Sequence, residues 1–442
     1  MHDPKVWLRR SVATLVLLIA LIAALCATGL LPYFLAAYSS NITLLAFSAV
    51  LVFAFITWGG GWLGAMIWHA NRRARFACAF SGLLTATFVI ALYITVLRPS
   101  PTTLAEVGPS GVVPFDNTRY WQLPSGSRIA YSEYDPPRGT AIRSTPILFL
   151  HGGPGLRVGP YDLDFYSRLA ADGFRVYLFD QAGTGRSGSL PSLRDYTISR
   201  SVEDIEAIRR QIGTDKAILI GFSFGSTLAA SYMAKYPDHV AKTIFYSPGP
   251  MWNYAEVELD YSRGDAPETS TDIPVLRLIA AAMLLNRSED AAKNLLPRRE
   301  AEEQVMGAAS VFSTMVCKGG SNKLPPMLTP ASRSELGDNP YASLELLLGT
   351  LSPASDPHTI LRSNKTPAIV LFGECEFLTW SSALDYRKTL PNLNIYYIPR
   401  AGHFMQLEQP ELMMRVIRAF LLDQTDAVPP YSGDADPRTV RP

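Results

Sequence analysis

The run Gly221-Phe222-Ser223-Phe224-Gly225 has the pattern of a serine held on a tight turn. The apolar run 217–220 precedes it and the helix-prone stretch 226–236 follows. A serine between a strand and a helix, with a glycine two residues away on each side, can stand on a strained turn with its hydroxyl clear of the sheet. The glycines let neighbouring backbone pass without a Cβ in the way. A hydroxyl is a weak nucleophile until a base takes its proton. Of the six histidines, His2 and His69 fall in an apolar N-terminal region, and His151 falls in a glycine turn. His239 and His358 lie in polar stretches typical of exposed loops. His403, in Arg400-Ala401-Gly402-His403-Phe404, follows the last apolar run, 394–398, and is the candidate base. An acid is needed to orient the imidazole and stabilise its charged form. The run 368–372 ends in Gly373-Glu374-Cys375-Glu376-Phe377, which offers Glu376 first and Glu374 second. A developing oxyanion needs preorganised backbone donors. The turn His151-Gly152-Gly153-Pro154-Gly155 after run 146–150 and the residue after the serine supply them, giving the Gly153 and Phe224 amides as candidates.

These residues must be carried by a sheet. Apolar runs at 146–150, 175–179, 217–220, 243–246, 368–372 and 394–398 alternate with helical stretches, the pattern of a parallel sheet covered on both faces. A hairpin is expected from 120–123 and Arg128–Tyr134 around Pro124-Ser125-Gly126. The expected fold class is α/β, a doubly wound and mostly parallel sheet. Its core is expected at 119–250 and 364–422, interrupted by a helical cap at 251–363 that includes the helix-prone stretches Val275–Leu285 and 344–351. An insertion of that size can close over a site and shape its pocket. Residues 99–118 hold several prolines and read as a linker, and 423–442, rich in Pro, Asp and Gly, reads as a disordered tail.

The N-terminal hundred residues are different. No Asp, Glu, Lys or Arg occurs from 11 to 71 or from 76 to 97. About 20 apolar residues cross a bilayer, so three spans are expected, at 11–35, 43–69 and 76–97, with Ser39-Ser40-Asn41 as the first turn. A cleaved signal peptide does not account for three such segments. Lys5, Arg9 and Arg10 flank the first span, and Arg72, Arg73 and Arg75 separate the second from the third. Positive flanks stay in the cytoplasm. The N-terminus is therefore expected to be cytoplasmic and the large domain extracytoplasmic. Gly59, Gly60, Gly61 and Gly64 suit either close helix packing or a local irregularity.

A net charge of +1 gives no sign of a nucleic-acid surface. Four cysteines, Cys26, Cys78, Cys317 and Cys375, make no disulfide framework and no zinc spacing. Cys317 and Cys375 can pair in an oxidising compartment, but two buried free thiols are the expected state. No metal or organic cofactor is implied. The expected partners are a small-molecule or short-peptide substrate and the lipid bilayer.

His151–Gly155, the block Asp180-Gln181-Ala182-Gly183-Thr184-Gly185-Arg186-Ser187, residues 202–209 and residues 221–226 together resemble the α/β-hydrolases of the proline iminopeptidase type. The resemblance spans about 120–250 and 365–422. It implies an α/β-hydrolase fold and release of an N-terminal residue, often proline, from short peptides. Ala182 stands where that group usually has Arg, Phe224 where it has Trp, and Glu376 where it has Asp. An aminopeptidase must also bind a free amine, for which Glu256, Glu258 and Asp260 are candidates, although such spacing also suits a solvated helix face. Asp180 and Arg186 are expected to be structural. Three functions compete: an extracytoplasmic aminopeptidase, an esterase or acyl hydrolase for small or lipid-like esters, and a membrane receptor or scaffold with a retired active site.

Overall fold

The computed structural model describes residues 4–68, 113–256, 258–265, 275–285, 287–297, 300–301, 310–324, 340–351, 355–425 and 428–439, with the isolated positions 73, 80 and 87. They form two compact units, Met1–Glu106 with Asp272–Glu300, and Val107–Thr271 with Ala301–Pro442.

The larger unit holds an eight-stranded sheet. Its strands are β1 (Arg119–Gln122), β2 (Arg128–Tyr134), β3 (Ile147–Leu150), β4 (Val176–Phe179), β5 (Ala217–Phe222), β6 (Val240–Tyr246), β7 (Ala368–Gly373) and β8 (Leu393–Ile398). The order across the sheet is β1-β2-β4-β3-β5-β6-β7-β8. The hairpin strands β1 and β2 pair antiparallel, β2 joins β4 antiparallel, and every later pairing is parallel. Every residue of β3, β4, β5 and β7 is buried, because helices cover both faces. That is why these strands read as continuous apolar runs rather than alternating ones.

Two helices hold the central strand in place. Thr197 caps the helix Ile198–Ile212 by accepting from the Arg200 amide, and Gly213, at φ 77°, ends it in the left-handed region that glycine tolerates. Glu206 on that helix accepts from Tyr232 at 2.8 Å and from Arg209 at 2.7 Å, tying it to the helix Phe224–Lys235 that follows β5.

The smaller unit contains the helices Pro4–Leu35 and Ile42–Ile67, packed side by side as a hairpin. A Cβ on Gly60 would collide with Ala20, and one on Gly64 would sit 3.2 Å from Leu17, so these two glycines set the close approach. Gly59 has nothing within 4 Å. Both helices are long and apolar enough to cross a membrane. They expose large apolar side chains such as Leu18, Ile22, Leu51 and Phe55. Two such helices are therefore present among the described residues where three spans were expected. The third, at 76–97, falls almost wholly outside the described residues, as does linker segment 99–112.

Three further expectations are corrected. First, the cap at 251–363 is not one body. It contributes the helix Pro340–Leu351 to the larger unit, whereas Val275–Leu285 and Glu289–Leu295 belong to the unit of the N-terminal hairpin. Ala291 packs there against Ala36 and Leu45, apolar contacts between chain segments that no local pattern announces. Second, Cys317 and Cys375 form a disulfide rather than staying as free thiols. The fold brings together two loops that are 58 residues apart in sequence. Third, the tail is not disordered over 428–439. The Tyr431 amide donates to the Ile395 carbonyl of β8 at 2.7 Å, and Trp380 Nε1 donates to the Asp434 carbonyl at 2.9 Å. These ties outweigh a composition that by itself favours disorder.

Candidate active site

Ser223 follows the last residue of β5 and precedes the helix Phe224–Lys235. Its backbone sits at φ 51°, ψ −116°, a strained conformation for a residue with a side chain. The strain is held by three hydrogen bonds. The Ser223 amide donates to the Tyr246 carbonyl at 3.1 Å, and its carbonyl accepts from Ser226 at 2.9 Å and Gly249 at 3.1 Å. A Cβ on Gly221 would lie 2.6 Å from the Gly225 carbonyl oxygen, and a Cβ on Gly225 would overlap the Leu150 carbonyl. Gly221 is therefore needed for the turn to close on itself, and Gly225 for it to pass β3. Ser223 is partly exposed between the buried residues Phe222 and Phe224. The loop after β3 covers it: a Cβ on Gly152 would lie 3.1 Å from the Ser223 Cβ. Gly153 follows in that loop at φ 130°. Phe224 opens the helix, so its amide belongs to a first turn whose donors lack helical partners.

Glu376 and His403 meet across the ends of β7 and β8. His403 Nδ1 donates to Glu376 Oε1 at 2.8 Å, with the carboxylate fully buried and the imidazole nearly so. The Leu378 amide donates to the same oxygen at 3.2 Å. Burial alone would raise the Glu376 carboxyl, but the adjacent His403, its hydrogen bonds included, holds it below the usual carboxylate range. The carboxylate fixes the proton on Nδ1 and leaves Nε2 as the basic nitrogen. The imidazole is wedged between the rings of Phe222, 5.0 Å away, and Phe377, 4.7 Å away. Phe222 is the residue before Ser223, so serine and imidazole share one edge of the sheet. Such an arrangement can take a proton from a serine hydroxyl, and the amides beside the serine can stabilise charge on an acyl oxygen.

Glu374 is not an alternative partner in this geometry. Its Oε2 accepts from the Arg400 amide at 2.7 Å, bracing the turn after β8. His151 is buried, and its Nε2 accepts from the Gln181 amide at 2.9 Å. Burial lowers its pKa, which keeps it a neutral brace for the loop. Asp180 is buried and accepts from the Val158 and Arg186 amides at 2.8 Å each, and Arg186 pairs with it at 3.0 Å. Both are structural. Of the amine-binding candidates, Asp260 accepts from the Ser262 amide at 3.0 Å and pairs with Arg263 at 3.3 Å. Glu258 is exposed, and the Glu256 side chain lies outside the described set.

The supporting residues are the part that sequence reading missed. Glu408 accepts from the Gly402 amide at 2.6 Å and the Cys317 amide at 3.0 Å, and burial raises its carboxyl. The His403 amide donates to Met315 at 2.6 Å, and its carbonyl accepts from Ser247 Oγ at 2.9 Å. Cys375, bonded to Cys317, immediately precedes Glu376. Arg438 in the tail donates to the Glu376 carbonyl at 2.8 Å. Only the cysteines carried a signal in the sequence.

A cavity of about 450 Å³ lies along the helix Phe224–Lys235, lined by its Thr227 and Ser231, by Met251 and Trp252, and by Glu345 and Leu346 of the helix Pro340–Leu351; Ser223, Glu376 and His403 are not in its lining. The Thr227 hydroxyl is hydrogen-bonded to that of Tyr254 at 2.9 Å. Ser343 of the helix Pro340–Leu351 sits against Gly155 of the loop after β3.

A serine on a strained elbow, with a carboxylate-bound imidazole at the same edge of a doubly wound sheet, defines a fold class arranged for acyl transfer. A family profile described as alpha/beta hydrolase fold matches residues 145–410, and the chain belongs to that family. It is similar to a probable proline iminopeptidase of Leptolyngbya boryana, 26% identical over 322 residues that cover 67% of this chain and 89% of the relative. It is also similar to a proline iminopeptidase of Heyndrickxia coagulans, 27% identical over 311 residues that cover 67% of this chain and 96% of the relative. Among solved structures, a probable hydrolytic enzyme from Pseudomonas aeruginosa PAO1 superposes with a TM-score of 0.52 at 18% identity, covering 73% of this chain and 99% of that one.

Proposed function

We propose that the protein is a membrane-anchored serine hydrolase that releases N-terminal residues from short peptides through an acyl-enzyme on Ser223. The observation that carries the reading is the buried 2.8 Å contact between His403 Nδ1 and Glu376, at the sheet edge where Ser223 stands on its strained turn. His403 takes the serine proton as Ser223 attacks the scissile carbonyl, and Glu376 stabilises the imidazolium. The Gly153 and Phe224 amides bind the oxyanion. His403 returns the proton to the leaving amine, and water releases the acyl group by the same steps in reverse order.

The peptidase reading is supported by the two relatives that each cover two thirds of the chain. A second reading, hydrolysis of small or lipid-like esters, is favoured by Asp260. Its engagement with Ser262 and Arg263 removes one expected partner of a substrate amine. Aminoacyl arylamides and short-chain p-nitrophenyl esters, assayed side by side on the protein and on Ser223→Ala, separate the two. Arylamide turnover lost in the variant supports the peptidase. Ester turnover alone, lost in the variant, moves the function to esterase. Turnover that survives Ser223→Ala refutes the mechanism.

The same reading puts the N-terminus in the cytoplasm and the hydrolase unit outside it, and two observations support it. The Arg10 guanidinium lies 5.6 Å from the Trp68 ring, so the first helix begins level with the end of the second, at the charged flanks. A disulfide beside the acid suits an oxidising compartment. Protease shaving of intact and permeabilised cells tests this: cleavage of the hydrolase unit only after permeabilisation refutes it.

A further inference from the structure

In the smaller unit, the helix Val275–Leu285 contains one charged residue, Arg277. Arg277 points inward and pairs with Glu300 at 2.5 Å, and both side chains are buried. The outward face carries Ile279 and Met283, 52% and 53% exposed and four residues apart, hence on one side of the helix. Ala281 and Leu285 are buried with Arg277, so the helix is apolar on its outward face as well as its inward one, whereas a helix on a water-soluble surface turns its charge outward.

The surroundings indicate what covers that face. The segment leads into Glu289–Leu295, where Ala291 packs on Ala36 and Leu45 at the loop end of the apolar hairpin, with Leu284 against the same cluster. Asn294 donates to the Ser40 carbonyl at 2.9 Å. The Arg287 guanidinium lies 5.9 Å from the Tyr33 ring and 6.0 Å from the Phe34 ring. Aromatic rings with an arginine beside them, at the end of a membrane-length helix, mark the depth of a bilayer interface. Eleven helical residues are too few to cross a bilayer, which takes about 20. An apolar outer face suits a helix lying in the interface, and pairing Arg277 inward removes the cost of a bare charge near lipid.

We propose that Val275–Leu285, although inserted between two strands of the hydrolase sheet, is an interfacial membrane helix that seats Ile279 and Met283 in the lipid at the loop end of the hairpin. The proposal rests on the reading that the hairpin itself spans the bilayer. It makes the insertion a lipid-bound element as well as part of a hydrolase chain.

The test uses the full-length protein with Cys26→Ser and Cys78→Ser, reconstituted in phosphatidylcholine vesicles. Met283→Cys carries an environment-sensitive fluorophore, with Leu51→Cys on the hairpin and Ile142→Cys on the exposed surface of the larger unit as references. Lipids brominated high or deep on the acyl chain quench the probe according to its depth. The expected result is a blue-shifted probe at position 283, quenched severalfold more by shallow than by deep bromines. Position 51 is quenched by deep bromines and position 142 by neither. No quenching at 283 with quenching at 51 overturns the proposal and leaves the hairpin reading intact. No quenching at either site overturns both. A blue-shifted but unquenched probe at 283 means that protein, such as a second copy of the chain, covers the face, and the lipid assignment falls. Ile279→Cys repeats the measurement on the same face, and retained labelling by an active-site serine probe shows that each variant is folded.

Discussion

The elbow at Ser223 and the paired loops at Glu376 and His403 are held in different ways. The elbow is assembled from the backbone of the sheet around it: Gly221 and Gly225 clear the path for the chain, the Tyr246 carbonyl of β6 accepts from the Ser223 amide, and Ser226 and Gly249 hold the strained carbonyl. The acid and histidine loops are held by distant segments. Met315 and Cys317 come from the insertion and Arg438 from the tail, while Glu408, close to His403 in sequence, clasps the Gly402 amide to that of Cys317. The serine is thus placed by backbone geometry and its partners by tertiary ties. Changes at the first should act through the turn itself, and changes at the second through segments far from the chemistry.

The largest expected effect is chemical. Glu376→Gln removes the charge that orients and stabilises the imidazole and should lower kcat about 10⁴-fold, the scale seen when a triad acid is neutralised. A kcat within tenfold of the parent would show that the carboxylate is structural. Because the Glu376 pKa is lowered in the fold, its stabilising contribution is complete above the normal carboxylate range and is lost as pH falls through the lowered value. Acid unfolding of Glu376→Gln should therefore lack that component, as read by chemical denaturation between pH 3 and 6.

Next comes the bridge. Opening a loop of 58 residues by Cys317→Ser with Cys375→Ser should cost about 4 kcal/mol by the loop-entropy account. Loss of activity at temperatures where the double variant remains folded would show that the bridge also positions Glu376. A thermal scan with an activity readout separates the two contributions.

Asp162 offers a change of opposite sign. Burial raises its carboxyl to about 7, between the Gly159 amide and Gln406. The folded state therefore binds a proton that the unfolded chain releases, and stability falls as pH rises from about 4 to about 7. Asp162→Asn should flatten that slope and gain on the order of a few kcal/mol at pH 7.5. An unchanged slope would refute the assignment.

The two smallest effects address the comparison directly. Arg438→Ala should cost about 1–2 kcal/mol, since it frees the buried Glu376 carbonyl, and should lower kcat more than it raises KM. Glu374→Gln should stay within about 0.5 kcal/mol and leave kcat unchanged, as the exposed amide contact survives substitution. A large kcat loss in Glu374→Gln would exchange the roles of the two glutamates.

What the sequence alone determined is local. Continuous apolar runs of β3, β5 and β7 specify buried parallel strands, because such strands face helices on both sides. Glycines at 221 and 225 specify a turn no bulkier residue can make, and uncharged stretches specify membrane-length helices. The candidates Ser223, Glu376 and His403 followed from where those runs end. What only the tertiary structure decided is which distant segments meet: the Cys317–Cys375 bond, the Glu408 clasp, the docking of 428–439, and the passage of Val275–Leu295 to the N-terminal hairpin. A residue such as Glu408 or Arg438 has the same local signature whether it faces water or holds a loop. Its role comes from the burial and backbone partners that folding supplies.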